Sequence, residues 1–334
     1  MSTSPLISVI VTNYNYGAYI GDCLESLLHQ SYANWECLIV DNHSTDNSLE
    51  VIQSFTAKDA RFSLHEKDFS APTFSRQFAL KFAKGEYVQF LDSDDLLEPL
   101  KLKKQLAYLQ NERQCDIVYG SVLYFDSKNP QVYFNNLELK DAPHWMPNLS
   151  GEGDEILLPL LRNNIMVVNA PLIRKSLFTS SNLLKDESFF PEDWELWLRF
   201  AIDKARFKYL DAEGTHALVR VHSTSYSQNT YRMYLWGLQV CLRMNKELSA
   251  RKYQKILVPK IAYHKKVLDR VLMQLLASDR LKAVEATNDV YAKTQSGRYA
   301  IYNAMFKKFP VWSCIALSKL IYLIHKIKNV ILYA

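Results

Sequence analysis

Within its first 95 residues the chain repeats one unit. A short β-branched run ends on a polar residue, and an amphipathic helical stretch follows. Leu6–Thr12, Trp35–Val40, Arg61–His65 and Glu86–Leu91 read as strands. Ala18–His29, the stretch opened by Ser44-Thr45-Asp46, and Pro72–Ala83 read as helices. Strands this apolar lie in a sheet covered on both faces, and strand–helix–strand repeats make that sheet mostly parallel. Ligands of such sheets bind at the carboxyl ends of the strands. Thr12, Asp41 and Asp92 all fall at such ends.

Beyond this core, Pro99–Leu109 predicts a helix and Asp116–Val132 predicts strands broken at Gly120 and Asn129-Pro130. Residues 135–153 predict a long polar loop. Helices follow at Ile156–Leu161 and from Pro191, where a proline before two acids marks a helix start. Arg206–Leu210 and Thr215–Val221 read as strands. After a boundary near residue 228 the chain is helical in character, which gives two domains, 1–228 and 229–334.

The charge is unevenly spread. Residues 231–334 hold 19 Lys+Arg against 5 Asp+Glu, and residues 1–230 hold 21 against 30. A last third with a net charge of +14 predicts an anionic partner. Five scattered cysteines, at 23, 37, 115, 241 and 314, include no CxxC pair, so reduced thiols and a cytoplasmic setting are expected. The first residues lack the basic start of a secretory signal. No uninterrupted apolar run reaches the length of a membrane span.

Three clusters carry chemistry. Asp92-Ser93-Asp94-Asp95 follows a strand, and alternate residues at a strand end point the same way, so Asp92 and Asp94 can converge. Crowded carboxylates repel unless a cation joins them, and Mg²⁺ or Mn²⁺ takes such oxygen ligands together with phosphates. By itself the turn also serves as an acidic cap for the next helix. In Pro191-Glu192-Asp193-Trp194-Glu195 the helix dipole favours an ionised Asp193, able to accept a proton from a hydroxyl; helix capping is the plainer reading. Arg220-Val221-His222-Ser223 places a histidine just past a strand, where it is either structural or part of a site loop.

In this order and spacing, LISVIVTNYNYG, FLDSDD, PEDWELWL and VRVHSTS make residues 5–228 resemble the family 2 glycosyltransferases. The resemblance implies a GT-A fold, a Rossmann-like, mostly parallel central sheet with helices on both faces, here followed by a C-terminal helical region. It implies inverting transfer of a sugar from a nucleotide-sugar donor, UDP-linked as the commonest case, to an acceptor hydroxyl. Thr12 and Tyr14 match the segment that contacts the base, Asp41 the acid that reads it, and Arg76 a frequent nucleotide contact. Asp92 and Ser93 match the donor-binding start of the family's acidic motif. Asp94 matches its metal ligand, and His222 a less uniform position near the diphosphate or metal. Asp193 matches the catalytic base. Mn²⁺ or Mg²⁺ is the implied cofactor, and a glycan or lipid-linked glycan of bacterial capsule, exopolysaccharide or lipopolysaccharide is the implied acceptor. Where many members carry Gly-Gly-Phe-Asp, residues 180–190 depart from the pattern, which weakens the analogy on the acceptor side.

Other classes fit less well. A dinucleotide-dependent oxidoreductase needs a glycine-rich turn after the first strand, and Asn13-Tyr14-Asn15-Tyr16-Gly17 has one glycine. A phosphatase of the DxD type carries that motif on its first strand. A degenerate transferase domain acting as an assembly scaffold remains the non-enzymatic alternative. Lysines interleaved with aromatic and aliphatic residues over 306–328 predict peripheral contact with the inner face of the plasma membrane; packing on protein or a homo-oligomer interface is the plainer reading. No nucleic-acid-binding motif is present.

Overall fold

The structure, a computed structural model, describes residues 4–69, 72–137, 145–181, 183–184, 191–210, 212–223, 225, 229–311 and 313–314. It divides into two compact units, Met1–Ser223 and Thr224–Ala334.

Strands β1 (Ile7–Asn13), β2 (Trp35–Asp41), β3 (Phe62–Glu66) and β4 (Tyr87–Asp92) alternate with helices α1 (Gly17–Leu28), α2 (Ser48–Thr56) and α3 (Pro72–Phe82). A two-residue strand β5 (Leu96–Leu97), helix α4 (Lys101–Asn111) and strands β6 (Ile117–Tyr119), β7 (Val122–Asp126) and β8 (Asn129–Phe134) follow. The unit closes with α5 (Asp154–Arg162), β9 (Pro171–Arg174), α6 (Ser176–Ser180), α7 (Asp193–Ile202), β10 (Phe207–Tyr209) and β11 (Ala217–Val221).

The main sheet has seven strands in the order β10-β6-β9-β4-β1-β2-β3. The run β4-β1-β2-β3 is parallel, and β9 lies antiparallel between β4 and β6. Nearly every residue of β1, β2 and β4 is buried, as expected of strands covered on both faces. A second sheet runs β5-β11-β7-β8.

Register decides where chemistry can gather. Thr12 pairs with Asp92 and Asn13 with Asp41. The three central strands therefore end at one level, and the loops after them share one edge.

Two local features depart from the sequence expectation. Helix α2 starts at Ser48, several residues after the predicted opening. Asp46 instead bridges two helix starts, accepting from the Ser48 N–H at 3.0 Å and the Gly17 N–H at 2.8 Å. Both β5 and β9 were too short for any periodicity to show. Of the predicted loop 135–153, residues 138–144 lie outside the described residues, and Gly151 bridges to Phe207.

The second unit contains α8 (Thr230–Glu247), α9 (Arg251–Ser278), α10 (Arg280–Thr294) and α11 (Gly297–Lys308). Asn229 caps α8, and Asp279 caps α10. Leu235, Leu238, Leu268, Leu272, Val290, Tyr299 and Phe306 are among the residues of its own core. Of the predicted interfacial segment 306–328, residues 312 and 315–328 lie outside the described residues. Among the described residues no helix is long and apolar enough to cross a membrane, and the five cysteines are free and buried.

Gly85 turns the chain into β4 against the start of β1. Its N–H donates to Ser8 Oγ at 2.8 Å, and a Cβ there would stand 2.5 Å from the Ser8 nitrogen and 2.7 Å from the Leu6 carbonyl oxygen. Those obstacles are mostly backbone, so Gly85→Ala forces β1 and β4 apart. A destabilisation of about 1–3 kcal/mol is expected from such overpacking, read as a lower denaturation midpoint; an unchanged midpoint would show that the turn relaxes freely.

Candidate active site

Asp41, at the end of β2, is sealed from solvent. Its carboxylate accepts from Asn13 Nδ2 at 2.7 Å, Ser44 Oγ at 2.7 Å and the Ser44 N–H at 2.8 Å. Asn15, in the left-handed region at φ 55°, accepts the Thr45 N–H at 2.7 Å and donates its own N–H to Ser44 Oγ. Asp41 thus knits together the loops after β1 and β2, and a contact with a base would require it to release one of those partners. Thr12 is half-buried beside it, and Tyr14 projects from the loop, 56% exposed.

The acidic turn after β4 sends its three carboxylates to different partners. Asp92 receives Arg76 Nη2 at 2.7 Å. Asp94 lies 3.0 Å from His222 Nε2. Asp95 is buried and accepts the Arg220 N–H at 2.7 Å and Asn169 Nδ2. The turn is closed by the Asp95 N–H donating to the Asp92 carbonyl at 3.0 Å. Ser93 is buried, and its hydroxyl has no hydrogen-bond partner among the described residues.

Crowding shows in the electrostatics. Burial first, then the neighbouring Asp92, raises the Asp94 carboxyl above its ordinary range, against the pull of His222. Asp95 is pushed well up by burial and by Asp94 and Asp92. The His222 ring packs on Tyr19, with centroids 4.6 Å apart, and edge-on to Tyr16 at 5.5 Å. Arg220 holds the turn from below: Nε donates to the Asp94 carbonyl at 2.8 Å, Nη2 pairs with Asp22 at 2.8 Å, and the guanidinium lies over Tyr19 and Phe125.

Arg76 joins the two acidic motifs. Its side chain is nearly buried, and besides Asp92 it reaches Glu192 Oε2 at 3.5 Å. Glu192 is the residue before α7, so the helix start carrying Asp193 is tied to the acidic turn. Asp193 accepts from the Trp194 N–H at 2.5 Å and from Asn164 Nδ2 at 3.1 Å. Two tryptophans fix the helix, Trp194 Nε1 donating to the Leu160 carbonyl and Trp197 Nε1 to that of Met166. Glu195, two residues on from Asp193 in the same helix, is fully buried and paired with Arg199 at 2.7 Å.

The expectation that the helix dipole keeps Asp193 readily ionised gives way to a stronger effect. Burial, followed by the charge of Glu192, pushes its carboxyl up to about 7, outweighing the Trp194 N–H, Arg76 and Asn164.

Asp94 and His222 form the one pair of sequence-predicted metal ligands brought into contact. Among the described residues no group of three or more His, Cys, Asp or Glu forms a ready-made cage. The Asp94 carboxylate, set among others that repel it, suits a hard divalent cation that leaves further positions to phosphate oxygens, and the His222 imidazole adds one softer donor, which Mn²⁺ tolerates better than Mg²⁺.

A family model described as "Glycosyl transferase family 2" matches residues 8–177. The chain belongs to glycosyltransferase family 2. The matched segment contains the strand ends and the acidic turn; Asp193 and His222 lie beyond it. An uncharacterised glycosyltransferase of Haemophilus influenzae is 28% identical over 244 residues, covering 72% of this chain and 90% of that protein. The Escherichia coli protein UDP-Glc:alpha-D-GlcNAc-diphosphoundecaprenol beta-1,3-glucosyltransferase WfgD is 27% identical over 232 residues, 61% of this chain and 90% of that one. Three further relatives, from Streptococcus pneumoniae and Bacillus subtilis, are matched over less than half their length.

Among solved structures, S. aureus TarS 1–349 in complex with UDP-GlcNAc superposes with a TM-score of 0.57 at 18% identity, over 90% of this chain and 87% of that one. Mannosyltransferase PcManGT from Pyrobaculum calidifontis, in complex with GDP-Man and Mn²⁺, gives 0.56 at 16%, over 96% and 88%. The family-2 fold is thus GT-A.

The titration of Asp193 is directly measurable. Carbon-detected NMR of labelled aspartate carboxyls is expected to show one group with a midpoint near 7 that disappears in Asp193→Asn. Glu192→Gln removes a neighbouring negative charge and should lower that midpoint, since ionising Asp193 then meets less repulsion. A midpoint that does not move, or that rises, would contradict this account.

Proposed function

We propose that this family-2 enzyme is an inverting transferase that moves a sugar from a nucleotide-sugar donor, UDP-linked, to a hydroxyl of a glycan or lipid-linked glycan in bacterial surface-polysaccharide assembly. The observation that carries the proposal is the Arg76 bridge. It brings the acidic turn, suited to a cation and diphosphate, together with the start of α7, where Asp193 waits with a carboxyl that is part-ionised at neutral pH. WfgD is named for a UDP-Glc donor and a diphosphoundecaprenol-linked acceptor, the TarS structure holds UDP-GlcNAc, and the PcManGT structure holds GDP-Man and Mn²⁺. These support the donor class, the acceptor class and the cofactor, Mn²⁺ or Mg²⁺.

Asp94 and His222 would hold the cation, which when bound supplies charge stabilisation for the departing nucleoside diphosphate. Tyr14 and Thr12 line the loop edge where the base would lie, with Asp41 behind them. Asp92 and Arg76, with Ser93 beside Asp92 in the turn, would serve the donor's ribose and phosphates, and an arriving phosphate would compete with Asp92 and Glu192 for the Arg76 guanidinium. Asp193 takes the acceptor's hydroxyl proton as that oxygen bonds to the anomeric carbon. The bond from that carbon to the phosphate oxygen breaks, and its electron pair leaves with the nucleotide. One displacement from the opposite face inverts the centre. A carboxyl with a pKa near 7 is suited to this step, since it is ionised in a large fraction of molecules and still basic enough to draw the proton.

Two variants separate the roles. Asp94→Ala should abolish Mn²⁺-dependent binding of nucleotide sugars and leave the fold intact. Asp193→Asn should bind donor as wild type does and lose transfer by on the order of a hundredfold or more. Metal-dependent binding by the first, or turnover by the second, would reassign the residue concerned.

We further propose that the C-terminal helical unit rests on anionic lipid at the cytoplasmic face of the membrane. On α9, Arg251, Lys255, Lys266 and Arg270 are exposed at spacings that place them on one stripe, with exposed Val258 and Tyr263 beside it. Its one acidic residue, Asp269, is paired with Arg298. Each exposed cation near an anionic leaflet contributes about 1 kcal/mol. The full chain should sediment with phosphatidylglycerol-containing vesicles at low salt and release at high salt, and reversing these four charges should weaken binding more than tenfold. Absence of binding at low salt, or binding unchanged by the reversal and by removal of residues 315–334, would defeat the proposal.

A further inference from the structure

Asn169, immediately before β9, is 1% exposed. Its side-chain amide touches the acidic turn twice. Oδ1 accepts the Asp92 N–H at 2.9 Å, and Nδ2 donates to Asp95 Oδ2. The partners fix the orientation of the amide, because an N–H must face the oxygen and a carboxylate must face the nitrogen.

The backbone around Asn169 is held just as fully. Its own carbonyl accepts from Gln89 Nε2 at 2.9 Å. The next carbonyl, of Ala170, accepts from Lys101 Nζ at 2.6 Å and Gln105 Nε2 at 3.1 Å, and Lys101 also donates to Gln105 Oε1 at 2.9 Å. Gln89, Lys101 and Gln105 are all completely buried. Burial lowers the Lys101 ammonium to about 7, so the network includes a group that water would hold far more readily. The side chains of this network satisfy three backbone groups that no substitution removes, the Asp92 N–H and the Asn169 and Ala170 carbonyls. The ends of this network are the backbone nitrogen of Asp92 and the carboxylate of Asp95, the two flanks of Asp94.

We propose that Asn169 is a positioning residue for the donor-binding turn: one buried amide, clamped to Asp92 and Asp95, sets the direction in which Asp94 faces the cation. The assignment rests on the functional reading above. It differs from a general packing role in what it predicts. Loss of the amide weakens Mn²⁺ binding out of proportion to any loss of stability, as outer-shell partners of metal ligands do.

The test uses the full chain and whichever of UDP, GDP or CDP the wild type binds in Mn²⁺. Free Mn²⁺ is followed by electron paramagnetic resonance during titration, and nucleotide binding without metal and the melting temperature are measured alongside. Asn169→Ser and Asn169→Asp are expected to raise the Mn²⁺ dissociation constant about 10- to 100-fold, with metal-free nucleotide binding unchanged. The double variant Asp95→Asn, Asn169→Asp exchanges donor and acceptor across the same hydrogen bond at constant charge, and should recover at least tenfold over Asn169→Asp. If the single variants melt lower but bind Mn²⁺ and nucleotide like wild type, the residue is structural and the proposal is overturned. A folded double variant whose Mn²⁺ dissociation constant stays tenfold or more above that of the wild type also overturns it, and this comparison with wild type stands if a single variant fails to fold. A wild type that binds none of these nucleotides in Mn²⁺ overturns the functional reading itself, and this one with it.

Discussion

Three carboxylates within four residues, at the end of a buried strand, would push the turn apart without partners. Most of the candidate site can be understood as the arrangement that holds them. Asp92 is offset by Arg76, Asp94 is joined to His222, and Asp95 is bound by Asn169 and the Arg220 N–H. Each partner comes from a different part of the chain: α3, the loop after β11, the approach to β9, and β11 itself. The turn is therefore where sequence-distant elements of the first unit meet, and their placement depends on its charges as much as its charges depend on them.

The carboxylates divide into two kinds. Asp41 and Asp95 are sealed, with their oxygens committed to donors of the protein. They hold loops in shape and have little left to offer a ligand. Asp92, Asp94 and Asp193 keep some exposure, and each has a partner that a substrate or cation could displace or share. Removing a sealed carboxylate leaves several buried donors of its own loops unpaired, whereas Asp92 and Asp94 each hold one close side-chain partner, Arg76 and His222. Residue type does not separate the two kinds; burial and saturation of the oxygens do.

How much of this was legible in the sequence follows from range. The parallel strands, their helices and the polar residues at their ends are local patterns of period 2 or 3.6, and β1, β2, β4, α1 and α7 fall close to where those patterns place them. Register then brings Thr12 level with Asp92 and Asn13 level with Asp41, which the shared strand-end position anticipates. What escaped has no local signature. Strand β9 is four residues long and antiparallel, so neither its length nor the strand–helix repeat announces it, and with it went Asn169. Arg220 sits in a strand between two valines, and only the fold shows that it faces the acidic turn. Arg76 and Glu192 are 116 positions apart. The one outright reversal concerns magnitude: the dipole and N–H at the start of α7 do stabilise an ionised Asp193, but burial and the adjacent Glu192 act more strongly.

That reversal bears on how the two halves of the site communicate. Glu192 pairs with Arg76 and also raises the Asp193 carboxyl, while Arg76 lowers it. The charge state of Asp193 therefore depends on where the Arg76 guanidinium directs its charge. An anion that drew Arg76 away would leave Glu192 with less counter-charge and make Asp193 harder to ionise, whereas a cation held at the acidic turn would act in the opposite direction. The coupling needs no moving lid: it follows from one buried cation shared between Asp92 of the acidic turn and Glu192, the acid beside Asp193.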